Sequence, residues 1–284
     1  MSKNQTRFVF FGTSEFSVNV LNALEDKNFT PSLVITTPDQ PQGRKLQLTS
    51  PPVKTWAETR HIPTLQPSNL KDQELVNVLQ DFPYFILASY GKILPGSILE
   101  IPAHGTLNVH PSLLPKLRGA SPIESALLKE KETGVSIMLM DEKMDHGPVL
   151  ASIKLEEEYF PASQSVLSKT LATLGGELLA ELIPKWLAGK IQTQPQNHAE
   201  ATFTKKLEKK DAEINFEESP EKNYRKILAY ERYNPFFFYE KNNKQIRIII
   251  KKAKLTDGEL CLERVLPEGR KEMTWEEFQK WRSA

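Results

Sequence analysis

The sequence is poor in cysteine, with Cys261 alone among 284 residues, and that excludes an intramolecular disulfide. Histidine is little more abundant: His61, His104, His110, His146 and His198 are scattered without ligand spacing, so no metal cofactor is expected. Long apolar runs are missing. Nothing approaches the roughly 20 residues that a membrane span needs. The opening MSKNQTRFVFFGTSEF holds too short an apolar stretch for a secretory signal, so a cytoplasmic location without a membrane partner is expected. Clustered glycine is missing as well. Gly12 follows the first apolar run with no GxGxxG pattern, which removes the phosphate cradle of a dinucleotide fold and with it the expectation of NAD. A net charge of +1 says nothing in favour of nucleic acid, and no GxSxG elbow surrounds Ser112.

What is present reads as α/β. The run Arg7 to Phe11 ends at Gly12 and is followed by Phe16, Val20, Leu21 and Leu24 at helical spacing, a strand, turn and helix. Short apolar strands follow at Ser32 to Thr36, Phe85 to Ser89 and Thr106 to His110, separated by helical patterns at Pro52 to Arg60 and Leu70 to Leu79. A mostly parallel, Rossmann-like sheet buried on both faces is expected. Val135 to Met140 and Val149 to Leu155 read as two more strands, and Ser163 to Leu187 as one long amphipathic helix that closes a domain over 1–189. Residues 190–204 are polar and aperiodic, like a linker or a strap across a surface. A second domain, 205–284, is expected to hold a helix near Pro220 to Tyr230. Strands at Phe236 to Tyr239, Gln245 to Lys252 and Glu259 to Val265 and a last helix at Thr274 to Trp281 follow, which suggests a small β-barrel.

Charge is uneven along the chain: residues 205–284 carry 19 basic against 15 acidic side chains, and the remainder 18 against 21. Lys241 to Lys254 contains Lys241, Lys244, Arg247, Lys251, Lys252 and Lys254 with no acid between them. Alternate residues such as Arg247 would point outward from a strand whose isoleucines pack inward, as a phosphate-binding face or as a strand edge kept from aggregating by lysine.

Ligands of open α/β sheets bind outside the carboxyl ends of the strands, so the residues after each apolar run are the candidates for chemistry. Asn108 and His110 are two apart and share one face of a strand. An amide donor beside an imidazole can hold a developing oxyanion and move a proton, and Asp145 could fix the imidazole. Each has a plainer reading too: a hydrogen-bonded histidine at a strand end, an Asp in a turn before Gly147, and Ser112 as a turn residue after proline.

At these positions the chain resembles the folate-dependent formyltransferase family. The match runs through Asn108-Val-His110-Pro-Ser112-Leu-Leu-Pro115, Arg118-Gly119 and Asp145-His-Gly147, and back through Ala88-Ser-Tyr90-Gly91-Lys-Ile-Leu94-Pro95 and Phe11-Gly12-Thr13. The resemblance implies that Asn108 hydrogen-bonds a formyl oxygen, that His110 stabilises the tetrahedral intermediate, and that Asp145 orients and charges His110. It implies 10-formyl-tetrahydrofolate as the formyl donor, bound in a cleft bordered by Leu87, Ala88, Tyr90, Gly91, Ile93, Leu94 and Pro95 and by Met140 and Asp141, with Ser112 beside it. The loop Thr37 to Leu46 resembles the one that tRNA-acting members place in an acceptor stem. It implies initiator methionyl-tRNA as the partner, met by Arg44 and Lys45 and, in the second domain, by Arg247, Lys251 and Lys252. A monomer is expected. Leu255 to Gly258 is shorter than the family's usual connection, so the barrel should be abbreviated, and Glu124 stands where the family usually has Gln. The alternatives are an amino-sugar or nucleotide-sugar formyltransferase, which would not need Arg44, and a non-catalytic RNA-binding protein, which would not need the three polar residues.

Overall fold

The computed structural model describes residues 7–42 and 46–283. In chain order the elements are β1 (Val9–Gly12), α1 (Glu15–Asp26), β2 (Leu33–Ile35), β3 (Gln40–Gln42), β4 (Gln47–Thr49), α2 (Pro52–Glu58), β5 (Thr64–Leu65), α3 (Gln73–Leu79), β6 (Phe85–Ala88) and α4 (Gly96–Leu99). Next come β7 (Thr106–His110), β8 (Arg118–Gly119), α5 (Pro122–Lys129), β9 (Gly134–Leu139), β10 (Val149–Lys154), α6 (Gln164–Leu187) and β11 (Phe203–Thr204). The last are α7 (Pro220–Ala229), β12 (Phe236–Lys241), β13 (Lys244–Thr256), β14 (Glu259–Pro267), β15 (Met273–Thr274) and α8 (Trp275–Ser283). Two compact units result. One comprises Met1–Gly119, Thr133–Leu155 and Ser168–Phe203, the other Ala120–Glu132, Glu156–Leu167 and Thr204–Ala284.

The first unit is built on a seven-stranded sheet of order β10-β9-β7-β6-β1-β2-β5. Every residue of β1, β6 and β7 is buried, which is why β1 and β6 are continuously apolar rather than alternating, whereas β7 buries Thr106, Asn108 and His110 as well. β1, β2, β5, β6 and β7 run parallel, whereas β9 pairs antiparallel with β7 and β10 antiparallel with β9. The reason for the β9–β10 reversal is connection length: 140–148 is too short for the dozen or more residues a parallel crossover requires. Antiparallel β9 corrects the expectation that its end joins the carboxyl ends of the other strands, because Leu139 pairs with Leu107 and Ser136 with His110. At the β1–α1 turn, a Cβ on Gly12 would meet Phe10 Cε1 at 2.5 Å and Ser17 Cβ at 2.8 Å, so only glycine fits. The space is taken by Ser17, whose hydroxyl accepts from Thr13 N–H at 3.1 Å and donates to the Ala88 carbonyl at 2.6 Å, tying β1 and α1 to β6.

The second unit carries an antiparallel sheet of order β12-β13-β14-β15. Its hairpins turn at Asn242-Asn243 and Asp257-Gly258, all four with positive φ, the conformation of two-residue turns that match strand twist. With so tight a turn after Thr256 there is no chain for further strands between β13 and β14, and the abbreviated barrel expected from the sequence is a four-stranded sheet. Ile248, Ile250, Leu262 and Val265 form its buried face together with Phe278 of α8. Within the same unit Arg225 of α7 donates to the carbonyls of Ala126, Leu127 and Glu130 at the end of α5, of which Ala126 also accepts from Glu130 N–H. Glu124, 4% exposed, lies 3.1 Å from Arg232 and accepts from Gln164 at 3.3 Å; its charge has an internal partner.

Candidate active site

Asn108 and His110 share one face of β7, and Asp145 reaches His110 from a loop. Asn108 and His110 are 5% and 4% exposed, so the polar atoms of each need partners. His110 Nε2 lies 3.1 Å from the carbonyl of Leu117. A carbonyl can only accept, so this nitrogen carries the proton and Nδ1 is left as the basic atom of the neutral ring. Nδ1 faces Asp145 Oδ1 at 3.6 Å, ion-pair range rather than a hydrogen bond, so proton uptake at Nδ1 creates an imidazolium directly opposite a carboxylate. The other carboxylate oxygen, Oδ2, accepts from the backbone N–H of Gly119 at 2.7 Å.

Asp145 reaches this place from the far end of its strand. Met140 donates its N–H to the Thr106 carbonyl at 2.9 Å, at the start of β7, and the chain must return along the strand to His110. The return is tight. Asp145 itself has φ +48°, and a Cβ on Gly147 would run into the Leu139 carbonyl, which accounts for the glycine two residues on. Asp141 holds the loop's start, accepting from Lys143 N–H at 2.9 Å and facing His146 Nδ1 at 2.6 Å.

Of the residues expected to border a folate, Leu87 and Leu94 belong to one buried cluster, with Tyr90 and Met140 packed against it. Tyr90 lies edge-on to Phe11 with ring centroids 5.6 Å apart, and burial pushes its phenol up to about 12, so it remains a neutral donor at physiological pH. Its hydroxyl is buried without a hydrogen-bond partner. Ile93 is 89% exposed, Gly91 is exposed, and Pro95 opens α4. Ala88 is fully buried and uses its carbonyl on Ser17. Ser112 is also fully buried, and its hydroxyl donates to the Lys116 carbonyl at 2.7 Å, closing the turn between His110 and Arg118. Among the described residues no three His, Cys, Asp or Glu side chains gather as a metal site would require, and no helix is long and apolar enough to cross a membrane.

Arg44 and Lys45 lie outside the described residues, but the base of their loop does not. Asp39 accepts from Lys54 at 2.9 Å, from Gln66 at 2.7 Å and from Ser50 at 3.1 Å, and Gln66 also donates to the Thr37 carbonyl at 2.8 Å. In the second unit Arg247 is on the face opposite Ile248 and Ile250, as strand alternation requires. Its guanidinium does not extend into solvent, however. It lies 3.7 Å from the ring centroid of Phe236, with Nε and Nη2 shielded and without a hydrogen-bond partner, because the flat cation gains more over an aromatic face than at full length in water. Lys251 is exposed, while Lys252 and Lys254 both pair with Glu263 across the strand, at 2.9 and 3.3 Å.

The sequence pattern missed Gln196 and the partners of Arg118. Gln196 sits in the aperiodic segment 190–204 and is 8% exposed, and its Oε1 accepts from Arg118 Nη2 at 2.6 Å. In the same segment Gln194 pairs with Val149 through both backbone hydrogen bonds, and His198 stacks on His146 with centroids 4.1 Å apart. These are strap contacts, and only a polar run containing proline hinted at them.

The profile of the formyl transferase family matches residues 6–183. A methionyl-tRNA formyltransferase of Thermodesulfovibrio yellowstonii is 38% identical over 294 aligned residues, covering 95% of this chain and 94% of that protein. One of Halalkalibacterium halodurans is 40% identical over 227, covering 78% and 70%. Among solved structures, the N-formyltransferase of Helicobacter canadensis, in complex with folinic acid and dTDP-3-aminofucose, superposes with a TM-score of 0.63 at 17% identity, covering 88% of each chain, a likeness of fold.

Proposed function

Since this chain belongs to the formyl transferase family, matched across more than half its length, we propose that it moves the formyl group of 10-formyl-tetrahydrofolate to the amino group of methionine on initiator methionyl-tRNA. The observation that carries the acceptor is the 38% identity to a methionyl-tRNA formyltransferase across 94% of that protein's length, so the likeness extends through the C-terminal sheet as well as the catalytic portion. A cytoplasmic monomer is part of this proposal; Asn108, His110 and Asp145 come from one chain, so these three side chains need no second copy. Residues 1–189 carry the three reacting side chains, 190–204 are strapped to them through Gln194 and Gln196, and 205–284 bind transfer RNA together with the Arg44–Lys45 loop.

The chemistry follows from the three side chains. The neutral amine adds its lone pair to the formyl carbon, and the carbonyl electrons move onto the formyl oxygen. Asn108 donates to that oxygen, and His110, once protonated, adds its charge in a site from which water is largely excluded. Asp145 steadies the imidazolium while the amine's proton leaves. Collapse of the intermediate breaks the bond to N10 of the folate, which takes up a proton, and N-formylmethionine remains on the transfer RNA. In this reading the pterin lies against Tyr90 and Met140, which pack on the buried cluster holding Leu87 and Leu94, and no metal enters the scheme. A non-catalytic RNA-binding role would leave the burial of Asn108 and His110 without a purpose.

Incubation of the purified protein with 10-formyl-tetrahydrofolate and either initiator or elongator methionyl-tRNA tests the assignment directly. Formylmethionine should form on the initiator. Transfer to a nucleotide-linked amino sugar but to neither transfer RNA would overturn the acceptor, and no transfer at all would overturn the activity.

A further inference from the structure

Asp145 has to be held in a left-handed conformation, at φ +48°, at the end of a loop that doubles back along β7. Its side chain is secured by the Gly119 N–H, but its backbone is secured from a different quarter. Gln196 Nε2 donates to the Asp145 carbonyl at 2.9 Å and to the Gly147 carbonyl at 2.7 Å. Gln196 Oε1 accepts from Arg118 Nε at 3.1 Å and from Nη2 at 2.6 Å. This amide can point only one way: turned over, it would set its NH2 against a guanidinium and its oxygen against two carbonyls. The arrangement closes a circuit. Arg118 is the neighbour of Gly119, whose N–H holds the Asp145 carboxylate, so one buried amide fixes both the residue that carries the carboxylate and the strand that receives it. The segment bearing Gln196 is itself pinned, by Gln194 to Val149 on one side and by Thr202 on the other, whose hydroxyl accepts from Leu117 N–H at 2.8 Å and whose carbonyl accepts from Arg118 N–H at 2.9 Å.

We propose that Gln196 is a positioning residue for formyl transfer, acting through Asp145 by setting the distance between its carboxylate and His110. This rests on the role given to Asp145 above. A separation of 3.6 Å between Nδ1 and Oδ1 leaves the pair dependent on small displacements, and misplacement of a reacting group by about 1 Å can cost on the order of a hundredfold in rate. Gln196 touches neither donor nor acceptor in this scheme, so its loss affects turnover rather than binding.

The test is a double-mutant cycle of Q196A and D145N, with Q196E as an isosteric control that keeps an acceptor for Arg118 and loses both donors. Q196A and Q196E are each expected to lower kcat about ten- to a hundredfold while KM for 10-formyl-tetrahydrofolate and for methionyl-tRNA stays within about twofold. In the D145N background, Q196A should change kcat by less than about twofold, because the group it positions is already lost. If Q196A fails to fold, the cycle is run with Q196E. Wild-type kcat in the single Gln196 variants, or a full multiplicative loss on top of D145N, overturns the proposal. Wild-type kcat in D145N alone instead removes Asp145 from the mechanism, a failure visible without any Gln196 variant, and the positioning role falls with it.

Discussion

At the scale of single residues, the site is a problem of keeping polar groups buried and aimed. In the proposed mechanism Asn108 and His110 act on charge that appears only in the transition state, so replacing either by Ala should slow turnover on the order of a hundredfold or more and leave folate binding largely intact. Single-turnover kinetics, under conditions where chemistry is limiting, provide the check. D145N keeps the shape and the hydrogen bond from Gly119 but removes the charge opposite His110 Nδ1, and unchanged activity across the pH range would exclude Asp145. Asn108 and His110 were legible in the sequence because they are two apart on one strand. Asp145 was legible only as a candidate, since nothing in a one-dimensional pattern says that a loop leaving antiparallel β9 near Thr106 comes back to His110.

At the scale of elements, the Thr37 to Leu46 loop and the basic strand are proposed to make separable contributions to transfer RNA use. Arg44→Ala should raise KM for methionyl-tRNA and leave donor KM unchanged, and D39N should do the same less severely by loosening the base of the β3–β4 pair. Hydrogen bonds from Gln66 and Lys54 hold the Asp39 carboxyl below the usual carboxylate range. The folded-state pKa is depressed, so the clamp is present above the unfolded value of about 4 and is lost as pH falls through the lowered one. KM measured in parallel for both substrates at neutral pH gives the answer, and equal rises in the two would assign the defect to the fold. For β13, Lys252 is neutralised in part by Glu263, whose own carboxyl is held below its usual range by Lys252 and Lys254, whereas Lys251 has no ion pair among the described residues. Charge reversal at Lys251 should therefore weaken transfer RNA binding and flatten its log-log salt dependence by roughly one to two units, more than reversal at Lys252. Titrations from low to physiological salt that match wild type would leave the run as strand-edge protection.

At the scale of the whole molecule, the chain's own order does not map simply onto its two compact units, because Ala120–Glu132 and Glu156–Leu167 group with the C-terminal segment. Arg225 caps α5 by three carbonyl contacts, so a fragment of residues 205–284 leaves that cation half-buried without its acceptors. Such a fragment should show a broad, low-temperature thermal transition in circular dichroism, where the full chain melts cooperatively; a sharp melt of the fragment would show that these contacts are dispensable. By itself the sequence determined the class of fold, the longer strands and most of the longer helices, and the placing of Asn108 and His110 on one strand, because periodicity and local turn chemistry act over a few residues and are written in consecutive positions; β3, β4, β5, α4, β8, α5, β11 and β15 were not read from it. Tertiary structure alone decided the antiparallel sense of β9, the return of Asp145, the pairing of Lys252 and Lys254 with Glu263, the stacking of Arg247 on Phe236, and the transformation of an aperiodic polar stretch into the strap that carries Gln196. Each of these is a hydrogen bond, ion pair or ring contact between residues distant in sequence, whose strength depends on burial and approach in space, and composition and spacing carry no record of either.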